Sequence, residues 1–369
     1  MPWYNDLRPK SDDKKIDYAL IFPELKNSDR KRIIKDILDL RNDLDDKIPV
    51  KNSDTSLLLA SWNIKEFGHL TERIPDSYFY IAEIINRFDL VAIQEVKSGL
   101  DDLNRIMKLL GSNWDYIITD ITEGDSGNKE RFAYIYDNRK VKSSGLSGEL
   151  VLWDDLTKNS TVKQLKRSPA ITGFMAGWKS FSLINIHLQP GNKDDDKEYR
   201  KEEVRLLMEA VKVKLKKKHF WNENLIMLGD TNLYKDNTDI VQLITDTDFR
   251  EADNLKGKVT NVSESEIYDR IFLNVDQKYF HLIKDVNGHE NGNVYKPFEV
   301  IYTEENRLNY HDYMLKHKDN PDTLTDDAAF KKYYNQFWKR NQISDHNPIW
   351  IEIKIDSSDE FLQEKLQEI

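Results

Sequence analysis

Seven polar side chains stand at the ends of short apolar runs: Asn63, Glu95, His187, Asp230, Asn232, Asp345 and His346. A polar group at a buried strand end costs free energy unless it finds a partner. One such residue is satisfied by a local hydrogen bond. Seven, all carboxylates, imidazoles or amides, are expected to converge on one another or on a ligand. In layered folds the strand ends and the loops after them are where sites assemble. Carboxylate and amide oxygens favour a hard cation, Mg²⁺ or Mn²⁺, over zinc, and the chain has no cysteine to supply a thiolate. Such an ion neutralises phosphate and stabilises the charge that develops in a displacement. The two histidines can hydrogen-bond phosphoryl oxygens or exchange a proton with water or a leaving group. Other chemistries lack their residues: there is no G-x-S-x-G elbow, no Walker loop and no G-x-G-x-x-G.

The elements that must carry these residues are short. SLLLASWNI (56–64), LVAIQEV (90–96), FAYIYD (132–137), FSLINIHL (181–188), LIMLGDTN (225–232), IYDRIFLN (267–274) and HNPIWIEI (346–353) have strand length and β-branched or aromatic enrichment. Helical patterns separate some of them: 73–88, and 197–218 with Val204, Leu207, Val211 and Leu215 on one stripe. Strands of nearly continuous apolar character mixed with helices predict an α/β (α+β) fold, with sheets packed face to face and helices outside.

Three further regions frame this core. Residues 1–55 read as a helical extension. In it Ile33, Ile34, Ile37, Leu38 and Leu40 recur at helical spacing, Asn27 or Ser28 is placed to cap, and the helix is expected to dock on the main domain, 56–356. Residues 275–343 form a long excursion rich in Tyr, His, Lys and Asn, and 357–369 a C-terminal tail. With 369 residues, 39% hydrophobic and 11% aromatic, the chain can build a large core. No apolar run is long enough to span a membrane. No secretory signal heads the chain, which predicts a cytoplasmic protein, and neither a membrane role nor an obligate protein partner is expected. The net charge of −10 argues against a broad basic footprint for nucleic acid but speaks to solubility rather than to a local groove.

SWNIKEFG (61–68), IQEVK (93–97), INIHLQP (184–190), LGDTNLY (228–234), YDRIF (268–272) and SDHNPI (344–349) together resemble the ordered motif set of the endonuclease/exonuclease/phosphatase superfamily. NKERFAYIYDNRKV (128–141) resembles its pancreatic-type deoxyribonuclease branch, where a Glu-Arg pair precedes an aromatic strand. The resemblance spans about residues 56–354. It implies a four-layer α/β sandwich, two mixed sheets flanked by helices, and a metal-dependent phosphodiesterase whose substrate is nucleic acid, best read as DNA. By the same resemblance Glu130 pairs with His187 and Asp269 with His346. Glu95, Asn63 and Asp345 hold Mg²⁺ or Mn²⁺. Asp230 and Asn232 position or activate the attacking water, and Asn232, the two histidines and Arg131 contact the phosphate. The branch's usual disulfide is absent, and the extension and long excursion are additional. These departures leave open a phosphatase or phosphodiesterase acting on inositol or lipid phosphates, as sphingomyelinases do, and a non-catalytic binding protein on the same fold.

Two features carry competing readings. Lysines 212, 214, 216, 217 and 218 suit DNA, but cations also suit the last turn of a helix, where they complement its dipole. The aromatic residues of 302–338 fit either base stacking or the core of the excursion.

Overall fold

A computed structural model of the protein describes residues 2–9, 20–70, 72–122, 129–217 and 224–369. Every apolar run singled out above forms a strand. In chain order the strands are β1 (Ser56–Phe67), β2 (Leu90–Val96), β3 (Trp114–Ile118), β4 (Arg131–Asp137), β5 (Lys142–Glu149) and β6 (Ala170–Ala176). They continue with β7 (Lys179–His187), β8 (Leu225–Asp230), β9 (Arg250–Glu251), β10 (Asp269–Asn274), β11 (Gly292–Val294) and β12 (Ile349–Lys354). The helices are α1 (Asn27–Lys47), α2 (Pro75–Arg87), α3 (Asp101–Leu110), the single turn α4 (Asp154–Thr157), α5 (Asp194–Lys216) and α6 (Thr238–Thr245). Short helices α7 (His311–His317), α8 (Asp327–Tyr333) and α9 (Lys339–Gln342) follow, then α10 (Ser358–Glu368).

The strands form two six-stranded sheets, ordered β11-β12-β1-β2-β4-β3 and β5-β6-β7-β8-β10-β9. Both are mixed: β1 and β2 run parallel, as do β7 and β8, and their other neighbours are antiparallel. Alternation along β1 shows why its sequence is almost unbroken in apolar residues. Leu57 and Leu59 face the second sheet, while Leu58, Ala60 and Trp62 face the helices. Between the sheets lie Leu59, Leu90, Tyr134, Phe174, Leu183 and Leu228. Outside the first sheet α1, α2 and α3 close a second layer with Ile37, Leu40, Phe79 and Ile106. Outside the second sheet Val204, Leu207 and Ile240 of α5 and α6 close a third. The result is the expected four-layer sandwich.

The excursion is ordered by its aromatic residues. Tyr302, Tyr310, Tyr334 and Trp338 are fully buried. The Trp338 ring lies 5.1 Å from Tyr310 and 5.5 Å from Tyr302, which in turn meets Tyr80 of α2 at 5.5 Å. These four are core; Phe337 is exposed. A π-helical turn, Tyr334–Trp338, joins α8 to α9.

Local details differ from expectation. Neither Asn27 nor Ser28 caps α1: both lie inside it, and Asp29 accepts from the backbone N–H of Lys26 at 3.2 Å. The helix buries Ile33, Ile37, Leu40 and Leu44 but exposes Ile34 and Leu38. Lys214 and Lys216 occupy the last turn of α5, as the dipole reading expects, and Lys218 lies outside the described residues. The tail 357–369 is largely the surface helix α10. Among the described residues no helix is long and apolar enough to cross a membrane.

Candidate active site

Strand register builds half of the site. His187, the last residue of β7, pairs directly with Asp230, the last of β8, and Asp230 pairs with Asp269, the first of β10. Two imidazole-compatible carboxylates and a histidine thus stand abreast at one sheet end. β7 and β8 approach closely here because Gly229 carries no side chain. A Cβ on Gly229 would meet the Ile186 carbonyl oxygen at 2.0 Å, and its φ is +137°.

The other sheet supplies the facing half. Asn63 at the bulge of β1 donates through Nδ2 to Glu95 Oε1 at 2.9 Å and, across the sandwich, to Asp230 Oδ2 at 3.0 Å. Glu95 Oε2 accepts from the Glu66 backbone N–H at 2.9 Å. Beneath them Gln94 Nε2 donates to Asn185 Oδ1 at 2.6 Å, a second polar stitch between the sheets. Glu66, Glu95 and Asn232 adopt positive φ, at +42°, +60° and +49°. Non-glycine residues rarely take this conformation, and such strain concentrates at functional sites.

Each histidine is backed by its own buried carboxylate. His346 Nδ1 lies 2.8 Å from Asp269 Oδ2, and its Nε2 points towards Asp230 Oδ2 at 3.7 Å. Burial works against charge on His346, but Asp269 and Asp230 outweigh it and hold the imidazole well above its usual pKa. His187 Nδ1 lies 3.0 Å from Glu130 Oε2, an ion-pair contact rather than a straight hydrogen bond, and its Nε2 lies 3.5 Å from Asp230 Oδ2. Burial pushes the Glu130 carboxyl up, yet His187 and Arg167 prevail and hold it well below the usual carboxylate range. Asp230 therefore sits between two imidazoles.

These groups line a cavity of about 290 Å³ that includes Glu95, Glu130, His187, Asp230, Asn232, Asp345 and His346. Asn232 is fixed by its backbone N–H on Asp230 Oδ1 at 2.9 Å and its Nδ2 on the Leu188 carbonyl at 3.1 Å. Asp345 is half-exposed at the rim, 3.7 Å from Lys65 Nζ. Arg131 departs from expectation. Its Nη1 donates to the Thr119 carbonyl at 3.3 Å and it does not line the cavity. Consecutive strand residues point to opposite faces, so Glu130 entering the site turns Arg131 away.

The arginine that does enter is Arg167, which the sequence reading missed. Its Nε donates to Glu130 Oε2 at 2.6 Å, and Lys97 Nζ reaches Glu130 Oε1 at 3.0 Å. Arg167 precedes Pro169 at the head of β6, a strand whose apolar run is interrupted by Gly173 and so gave no clear signal.

The donor chemistry suits a hard cation. The Asn63 amino group bridges two carboxylates, while its Oδ1 is buried without a hydrogen-bond partner. Turning the amide over would set three oxygen donors, from Asn63, Glu95 and Asp230, around one point, an arrangement that only a cation stabilises. Asp230, Asp269 and His346 also bring donor atoms within 4.8 Å of one another. There His346 Nδ1 is already engaged by Asp269, which makes that trio a proton relay more readily than a cage.

No protein-family model matches the chain. Among curated proteins it is 26% identical to deoxyribonuclease gamma of Homo sapiens over 246 residues, 60% of this chain and 73% of that protein. It is 25% identical to Homo sapiens deoxyribonuclease-1 over 145 residues, 37% of this chain and 50% of that protein. The chain thus spans about half to three quarters of the length of these relatives. Among solved structures, an endonuclease/exonuclease/phosphatase family protein from Bacteroides thetaiotaomicron superposes with a TM-score of 0.50 at 19% identity, covering 82% of this chain and 99% of the other. With the two-sheet architecture, these findings show that the chain has the fold of the endonuclease/exonuclease/phosphatase proteins and is similar in sequence to the deoxyribonucleases.

Proposed function

We propose that this protein is a divalent-metal-dependent phosphodiesterase and that it cuts DNA internally. The observation that carries this reading is Asp230 held between His187 and His346, each imidazole backed by a buried carboxylate. In this reading Asp230 takes a proton from the attacking water and Asn232 holds the loop that follows it. His346, kept protonated by Asp269, gives its proton to the leaving oxygen as the phosphorus–oxygen bond breaks. His187 donates to a phosphoryl oxygen, and Arg167 and Lys97 face the phosphate charge. A Mg²⁺ or Mn²⁺ held by Glu95, Asn63 and Asp345 would neutralise the phosphate. The deoxyribonucleases named above support DNA as the substrate.

The test incubates the protein with supercoiled plasmid, single-stranded RNA or inositol polyphosphates, each with Mg²⁺, Mn²⁺ or chelator. His187→Ala and Asp230→Asn serve as controls. Nicking of plasmid that needs metal and falls by orders of magnitude in both variants is expected. Phosphate release from inositol polyphosphates with plasmid left intact would establish the phosphatase reading instead. Full activity in Asp230→Asn would remove the scheme.

A further inference from the structure

We infer that the excursion before the catalytic Asp345 and His346 carries a second binding site, a track for single-stranded DNA leading out of the active-site cavity. The inference rests on the DNA reading above and adds to it a surface that the catalytic motifs do not include. Tyr333, Phe337 and Arg340 follow one another along α8, the π-helical turn and α9. Tyr333 and Phe337 stack, with ring centroids 6.2 Å apart and planes at 24°. Phe337 is 55% exposed, although its neighbours Tyr334 and Trp338 are buried completely. A large aromatic ring stacked on one side and open on the other is what a nucleobase requires, and such stacking tolerates any base.

The ring stands in a groove of about 400 Å³ lined by Lys318, Leu324, Lys332, Tyr333 and Phe337 among others, and no carboxylate lines it. Lys318 Nζ sits 4.5 Å over the Tyr333 ring. Among the described residues Lys332 and Arg340 make no ion pair, and Arg340 Nε is buried without a hydrogen-bond partner. Of the nearby acids, Asp327 pairs with Arg307 at 2.6 Å and Asp326 caps α8 through the Ala329 N–H at 2.8 Å, while Glu72 and Asp319 lie close enough to act on the Tyr333 hydroxyl from outside the groove lining. On a chain of net charge −10, a groove lined by Lys318 and Lys332 with no carboxylate in its lining, beside an open aromatic ring, selects a polyanion that also carries flat apolar faces. Single-stranded nucleic acid has both properties.

The track also points at the chemistry. Arg340 and Asp345 are five positions apart, a reach of at most about 18 Å. The intervening Gln342 is pinned by Arg73 Nε on its carbonyl at 3.1 Å, and Arg73 Nη2 holds the Lys65 carbonyl at 2.9 Å, beside the cavity. A strand stacked on Phe337 can therefore continue into the cavity within a few nucleotides.

The test uses the full chain, with chelator to prevent cleavage, and fluorescein-labelled dT12 read by anisotropy. Phe337→Ala is expected to weaken binding at least about fivefold. Lys332→Gln with Arg340→Gln is expected to flatten the slope of log Kd against log salt by about 0.7 per cation removed. Hydrolysis of a small chromogenic phosphodiester with metal should be unchanged in both variants, which separates the track from the catalytic groups. Binding of dT12 that is the same in parent and variants overturns the track. So does capture by phosphatidylserine-containing vesicles with no affinity for dT12. If the parent binds dT12 through Phe337 yet cleaves no DNA, the track stands and the nuclease reading falls.

Discussion

His346 Nδ1 lies 2.8 Å from Asp269 Oδ2, and the Asp269 side chain is fully buried. A carboxylate in this position fixes the tautomer and orientation of the imidazole and stabilises its charged form. Burial holds the Asp269 carboxyl above its usual pKa, and the His346 contact, with Thr260, works against that cost. Asp269→Asn keeps the shape and removes the charge. Turnover on plasmid is expected to fall by about 10²–10⁴-fold, as for loss of a positioned acid–base group, with KM little changed. Steady-state kinetics check this; an unchanged kcat would show that His346 needs no carboxylate behind it.

Asn63 is the polar group shared by the two sheets, reaching both Glu95 and Asp230. If its unpartnered oxygen completes a cation site, Asn63→Ala removes one ligand and the amide that separates two carboxylates. The Mg²⁺ concentration for half-maximal activity is then expected to rise by about 10–100-fold. At saturating Mg²⁺ much of the activity should return. A titration of activity against Mg²⁺ decides this, and an unshifted midpoint would place the cation elsewhere.

The legible part of this site is the part that alternates. A carboxylate or imidazole ending an apolar run is visible in one dimension, which is why His187, Asp230 and His346 stood out. Arg131 was placed at the phosphate by the resemblance of the Glu-Arg pair, but adjacent residues part company across a strand, and with Glu130 in the cavity Arg131 turns to the Thr119 carbonyl. β5 (Lys142–Glu149) is largely exposed and β6 is broken by Gly173, so neither strand announced itself, and Arg167 at the head of β6 stayed hidden. Glu203 and Arg200 are charged residues of α5 outside its apolar stripe, yet both are buried because loops fold over them. No periodicity of the helix itself records which loops will cover it.

Glu203 has a consequence for activity. Its carboxylate accepts the backbone N–H of Lys166 at 2.9 Å and of Gln189 at 3.0 Å, one residue from Arg167 and two from His187. Glu203→Ala leaves two half-buried backbone donors without their partner, together costing about 1–3 kcal/mol. A lower Tm is expected, with loss in both kcat and KM as the two loops lose their common anchor. Thermal unfolding beside kinetics checks it. A lowered Tm with unchanged kcat/KM would show that the loops hold their places without Glu203.

Glu130 gives the sharpest pH dependence. Arg167 and His187 hold its folded-state pKa well below that of an unfolded glutamate, about 4.3. For a carboxyl depressed on folding, the stabilisation is complete above the unfolded pKa and is lost as pH falls towards the folded one. Glu130→Gln has no such proton to take up. At pH 7 the variant should be less stable than the parent by about 3–5 kcal/mol, because it strands the buried Arg167. Below about pH 4.3 the parent should lose this advantage at about 1.4 kcal/mol per pH unit. Urea unfolding followed by tryptophan fluorescence at pH 7, 5, 4 and 3.5 measures the gap between the two. It should stay level down to pH 5 and then narrow; a gap that is constant to pH 3.5 would mean that Glu130 is not ionised through these contacts.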